Sequence, residues 1–125
     1  KFNKTVIGGE QPIDVAYTIM ALEKFYAVFK EDNYKIKAKV AFSWFLGNNH
    51  LHQIVYNPCT GGCYDGVEEH NVNLNQGAES TLSYLIARLT IEKLILIVDT
   101  KPKQHRENGT QTPFLKSREA VLLPQ

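Results

Sequence analysis

The sequence predicts an all-α fold built from helical hairpins. Three observations carry that prediction. Apolar residues recur at helical spacing in three separate segments. The first of these opens on a proline, Pro12, and the second closes on a glycine, Gly47, which are the residues favoured at helix starts and stops. Only two or three residues separate the first two segments, so their helices run antiparallel side by side.

Residues 1–10 read as a lead-in loop ending in Gly8-Gly9-Glu10. Pro12 suits a first helical turn, where its missing N–H costs nothing, and Asp14 suits the positive end of the helix. A first helix is expected over 12–31, with Val15, Ile19, Leu22, Tyr26 and Phe29 as its apolar side. Glu31-Asp32-Asn33 forms a turn, and a second helix follows over 34–46, with Ile36, Val40, Ala41, Trp44 and Phe45 on its apolar side. The stretch 47–75 has no clear period and is rich in Gly and Asn; a connection of that length in a compact domain is often functional. Within it, Leu51–Tyr56 reads as a strand or a packed extended segment. A third helix starts near Gln76 and runs to Ile91 or beyond, with the stripe Ala78, Leu82, Leu85, Ile86 and Leu89. Leu94–Val98 either extends it or forms a short strand. Residues 100–113, with Pro102, Gly109 and Pro113, read as linker or tail, and Ala120–Leu123 is a last apolar patch able to dock back. The division is a helical-hairpin domain over 1–100 and a polar tail over 101–125.

Composition narrows the function. A chain of 125 residues is one domain by length, and 43% hydrophobic against 22% charged is the balance of a folded globular chain. Fourteen Lys and Arg face thirteen Asp and Glu, a net +1, without the basic excess that a nucleic-acid or anionic-membrane surface needs. The longest apolar run, Leu94–Val98, is too short to span a bilayer. Two cysteines cannot build a disulfide framework and are expected to be reduced, which fits a cytoplasmic setting. The opening at Lys1, with no initiator methionine and no apolar signal region, suggests a piece of something longer.

The hairpin places the start of the first helix and the end of the second at one end of the layer. If the third helix runs parallel to the first, its start joins them. Four polar segments then share a face: Gly8–Asp14, Phe45–Asn49, Thr60–Gly66 and Asn73–Thr81. The opposite end, Glu31-Asp32-Asn33-Tyr34, looks bland and charged. Such asymmetry is what a ligand-binding rim or a docking face produces.

Those segments carry a resemblance. Gly9-x-Gln11-Pro12-Ile13-Asp14, Trp44-Phe45-Leu46-Gly47-x-Asn49, Thr60-Gly61-Gly62-Cys63-Tyr64-Asp65-Gly66 and Asn73-x-Asn75-Gln76-Gly77-Ala78-Glu79-Ser80-Thr81, in this order, resemble the end of a six-hairpin (α/α) toroid. The match is to the C-terminal region attached to some bacterial glycosyltransferases, which looks like the toroids of glycoside hydrolases and sugar epimerases. It covers residues 8–92. It implies a partial, toroid-like helical fragment with a long polar loop over one rim, since three helices cannot close a ring of twelve. It also implies a region that processes or binds carbohydrate, with a sugar or nucleotide-sugar as partner. No nucleic acid, membrane, cofactor or metal is expected. An unclosed ring implies either a homo-oligomer or packing on the remainder of a larger chain.

Glycoside chemistry uses paired carboxylates. Asp65, in the Gly-rich loop, is the leading acid/base residue or hydroxyl acceptor; the competing reading is an Asx-turn. Asp14 and Glu79 are either rim contacts or first-turn residues. Asn49, Asn75 and Gln76 offer the donor–acceptor pairs that sugar hydroxyls need, or loop and cap bonds. Tyr64 is the aromatic best placed to stack on a sugar, while Trp44 and Phe45 read as core. Cys59-x-x-x-Cys63 with His50, His52 and His70 is a poor zinc pattern, because no second paired motif accompanies it. An interaction or scaffold module, packed on missing hairpins or on itself through an apolar flank of Val40-Ala41-Phe42, Trp44-Phe45 and Leu85-Ile86, is the competing function.

Overall fold

The computed structural model describes residues 9–99. The predicted tail 101–125, the patch Ala120–Leu123 and the first eight residues lie outside the described residues. The fold is mainly helical, as predicted. Helix α1 spans Pro12–Phe29, α2 spans Asp32–Ser43 and α3 spans Ala78–Asp99. One 3-10 turn, Trp44–Leu46, follows α2, and strands β1 (Gly66–Val67) and β2 (Val72–Asn73) form a small antiparallel pair.

Pro12 opens α1 with its fixed φ. The helix stops at Phe29 because Lys30 turns into the left-handed region, φ 59°, where its N–H bonds Tyr26 O at 2.9 Å. The first helix thus ends two residues early, and α2 starts two residues before the expected Tyr34. The expected second helix tightens to a 3-10 turn at Trp44 and ends at Gly47, φ 105°. The ambiguous stretch 91–99 continues α3. Leu51 and His52 finish a turn, with His52 in the left-handed region at φ 54°, and Gln53–Tyr56 carries one bridge, Tyr56 to Cys63, rather than a strand.

Helix α1 is the centre of the layer and packs on both α2 and α3. Helices α1 and α3 run in the same direction. Lys93, late in α3, bonds Glu23, late in α1, at 2.8 Å, while the starts of both helices meet the β1 segment. The core joins Ala16, Ile19 and Tyr26 of α1 to Ala38 of α2, Phe45, and Tyr84, Ala87, Ile91 and Leu94 of α3. Val55, Cys63 and Val67 close it from the long loop. Phe45 meets the Tyr84 ring edge-on at 5.3 Å, and Tyr56 stacks on Tyr84 at 4.3 Å.

The structure distinguishes the faces of the helices. The predicted apolar stripe Ala78, Leu82, Leu85, Ile86 and Leu89 faces out. Helix α3 has two stripes, and the one turned inward is Ser80, Ser83, Tyr84, Ala87, Ile91 and Leu94. That face offers small residues for close approach and one hydroxyl, Ser80, that bonds Asp65 in the loop. Likewise Ile36 and Val40 of α2 are exposed, while Lys35 and Ala38 are buried. Lys35 is held inside by Asp32 at 2.5 Å and by the Tyr26 ring at 4.6 Å. The end called bland instead carries stacked aromatics: Phe25 lies 5.5 Å and Phe29 6.0 Å from the Tyr34 ring. Among the described residues, no helix is long and apolar enough to cross a membrane.

Candidate functional site

From Gly9 onward the polar segments come together at one end of the helices: Glu10 bonds Val67 and Trp44, and Thr60 and Asp65 bond Gln76 and Gly77. Asp65 is the hub. Its N–H donates to Asn75 O at 2.8 Å. Its Oδ1 accepts from the Gly77 N–H and the Ser80 hydroxyl, each at 2.7 Å. Its Oδ2 accepts from the Asn75 side-chain amide. These donors, the Ser80 hydroxyl foremost, then Asn75 and Gly77, hold the Asp65 carboxyl below the usual carboxylate range. The arrangement ties down the entry to α3 from outside the helix: one carboxylate takes the Gly77 N–H, just before the helix, and the Ser80 hydroxyl in its first turn. It also explains Gly77, where a Cβ would lie 2.8 Å from Asp65 Oδ1.

The second cluster joins the lead-in loop to the end of α2. Glu10 pairs its backbone with Val67 in both directions at 2.9 Å. Gly66 allows this approach, because a Cβ there would meet Glu10 O at 2.9 Å. Glu10 Oε2 accepts from the Trp44 indole N–H at 2.6 Å, and Oε1 lies 3.5 Å from His50 Nδ1. His50 Nε2 lies 2.9 Å from Glu68 O, which can only accept, so Nε2 carries the proton there. His50 Nδ1 is buried without a hydrogen-bond partner and faces the Glu10 carboxylate.

The other expected site residues divide. Asn49 is buried and tied down: its amide donates to Trp44 O at 3.1 Å and Gln53 O at 2.7 Å, closing the turn after α2. The Tyr64 hydroxyl accepts from Asn57 at 3.1 Å and is half-buried. Gln76 is exposed, and its carbonyl accepts from Thr60 at 2.7 Å. Asn75 is exposed beside Asp65. Glu79 is exposed in the first turn of α3, and Asp14 in the first turn of α1. The structure therefore brings Asp65, Tyr64, Asn75, Gln76 and Glu79 to one neighbourhood. Asp14 opens the neighbouring helix, and Asn49 lies beneath the surface.

Glu10 is the residue sequence reasoning missed. It sits in an aperiodic loop, and the available signal was indirect: a buried tryptophan needs an acceptor for its indole N–H. Cys59 is exposed and Cys63 buried, both as free thiols. Burial, with the Asp65 charge adding to it, pushes the Cys63 thiol up to about 12, so no thiolate nucleophile forms there at neutral pH. Among the described residues, no three His, Cys, Asp or Glu side chains gather as a metal site. Compared with known proteins, the chain matches no family model and no curated protein.

Proposed function

We propose that this chain is a carbohydrate-binding or carbohydrate-processing region, built like part of an (α/α) toroid from a bacterial glycosyltransferase-type protein, and that its polar rim faces the sugar. One observation carries the reading: four segments distant in sequence are hydrogen-bonded into a single surface that leaves Glu10, Asn75, Gln76 and Glu79 open to solvent. Side chains held by their neighbours lose little freedom when a ligand arrives. In this reading Asp65 is a positioning residue, since its Oδ1 holds the entry to α3 and its Oδ2 holds the Asn75 amide. Glu79, Gln76 and the Tyr64 ring make the sugar contacts.

The test reads the fluorescence of Trp44, the sole tryptophan, whose indole is bonded to Glu10 at the rim. Titration with a panel of sugars and nucleotide-sugars is expected to give a saturable change. Glu79→Gln and Gln76→Ala, which leave the cap intact, are expected to raise the half-saturation concentration about tenfold, the worth of one good hydrogen bond to a charged group. No response to any sugar from a protein with normal circular dichroism would overturn the reading.

A second reading, an interaction module, is favoured by the outer faces of the helices. Leu82, Leu85, Ile86, Leu89 and Leu96 stand exposed on α3, and Ile36 and Val40 on α2. A helix apolar on both sides belongs between two layers. The two surfaces meet at Glu79, in the first turn of α3, between the rim and the outer face of that helix.

A further inference from the structure

We propose that the outer face of α3 is covered by a second copy of this chain, with the two α3 helices antiparallel about a two-fold axis lying between Leu85 and Ile86. The inference rests on the interaction reading above and names its partner.

Exposure comes first. Leu82 is 58% exposed, Leu85 43%, Ile86 44% and Leu89 65%. At 100° per residue these four lie on one side of α3, opposite the buried Ala87 and Ile91. Inward contacts therefore cannot explain them.

The order of these residues points to the occupant. The motif Leu82-x-x-Leu85-Ile86-x-x-Leu89 keeps its apolar spacing when read in either direction. A two-fold interface requires such self-complementarity, because the same patch serves both subunits. Antiparallel pairing about the Leu85–Ile86 midpoint sets Leu82 on the partner's Leu89. It also sets Leu85 against the partner's Leu85, and Ile86 against the partner's Ile86.

Charge gives the direction. Glu79 and Lys93 lie on the same flank of the stripe, seven residues to either side of Ile86. An antiparallel pair brings Glu79 beside the partner's Lys93. A parallel pair sets glutamate against glutamate and lysine against lysine, which repel. Lys93 already bonds Glu23 of its own chain at 2.8 Å, but its side chain is 62% exposed and keeps further donors.

The experiment uses the full chain with Cys59→Ser, which removes the exposed thiol. Leu82→Cys and Leu89→Cys proteins are oxidised separately and as a mixture, beside sedimentation of the wild type and of Leu85→Asp/Leu89→Asp. The expected result is a covalent dimer from the mixture, little from either protein alone, and at least tenfold weaker association of the Asp variant with unchanged circular dichroism. Cross-links of Leu82→Cys to itself and Leu89→Cys to itself would overturn the antiparallel pairing while leaving the interaction reading standing. A monomeric wild type that binds a hydrophobic dye, with binding lost in the Asp variant, would overturn self-pairing and leave the face to another protein. A monomer that binds no dye would overturn both.

Discussion

The rim and the outer face of α3 use their side chains in opposite ways. At the rim, polar groups are bonded to each other: the Asp65 carboxylate serves Ser80, Asn75 and Gly77, and Glu10 serves Trp44. On the outer face of α3, Leu82, Leu85, Ile86 and Leu89 stand 43–65% exposed, outside the core of the described residues. The rim is finished by its own residues and needs a ligand only for function. The outer face is unfinished, because water is a poor neighbour for four large aliphatic side chains in a row. A residue's local bonds thus tell which duties remain to be explained.

The largest effect should come from comparing the two faces of α3. Tyr84→Ala removes a ring packed on Phe45 and Tyr56 and should cost about 3–5 kcal/mol in chemical unfolding. Leu85→Ala on the other face should change the unfolding of the dilute protein by under about 0.5 kcal/mol. Similar losses at both positions in dilute protein would erase the distinction between the faces.

Next in size is the cap. Asp65→Ala should cost about 1–2 kcal/mol and speed amide exchange in the first turn of α3. The pH dependence follows from the same contacts. The folded state holds the Asp65 carboxyl below its ordinary value, so its contribution is present above the unfolded pKa and is lost as pH falls through the folded one. Glu23 behaves in the same sense, because Lys93 first, and Lys24 after it, favour its charged form against the opposing effect of burial. Acid unfolding of the wild type should therefore steepen below about pH 4, and Asp65→Asn should flatten that slope. An unchanged slope would remove Asp65 from its role as cap. An effect smaller than that of Asp65→Ala is expected at Lys30, a non-glycine residue with φ 59°. Lys30→Gly should stabilise by about 0.5–1 kcal/mol, read as a rise in the unfolding midpoint.

How far the sequence could be read varies along the chain. The helices were legible because Pro12 and the i, i+4 spacing act locally. The gathering of four polar segments was legible too, since a short turn forces an antiparallel hairpin. The inward face of α3 was not. Spacing reports that a stripe exists, and α3 has two; hydrophobicity favoured Leu82–Leu89, whereas the tertiary fit chose Ala87 and Ser80, which reaches the loop at Asp65. Asp65 was legible as a key residue but not in its role, because the Gly77 and Ser80 donors that occupy it come from beyond the loop. Glu10 went unseen for a similar reason: its partners Trp44 and His50 are far away in sequence.

Amide hydrogen exchange of the whole chain at low and high protein concentration would test the contrast in a single measurement. The account predicts that peptides covering Leu82–Leu89 gain protection as concentration rises, while peptides covering Thr60–Gly77 exchange at the same rate throughout. Equal exchange of Leu82–Leu89 at both concentrations, or a gain confined to Thr60–Gly77, would contradict it.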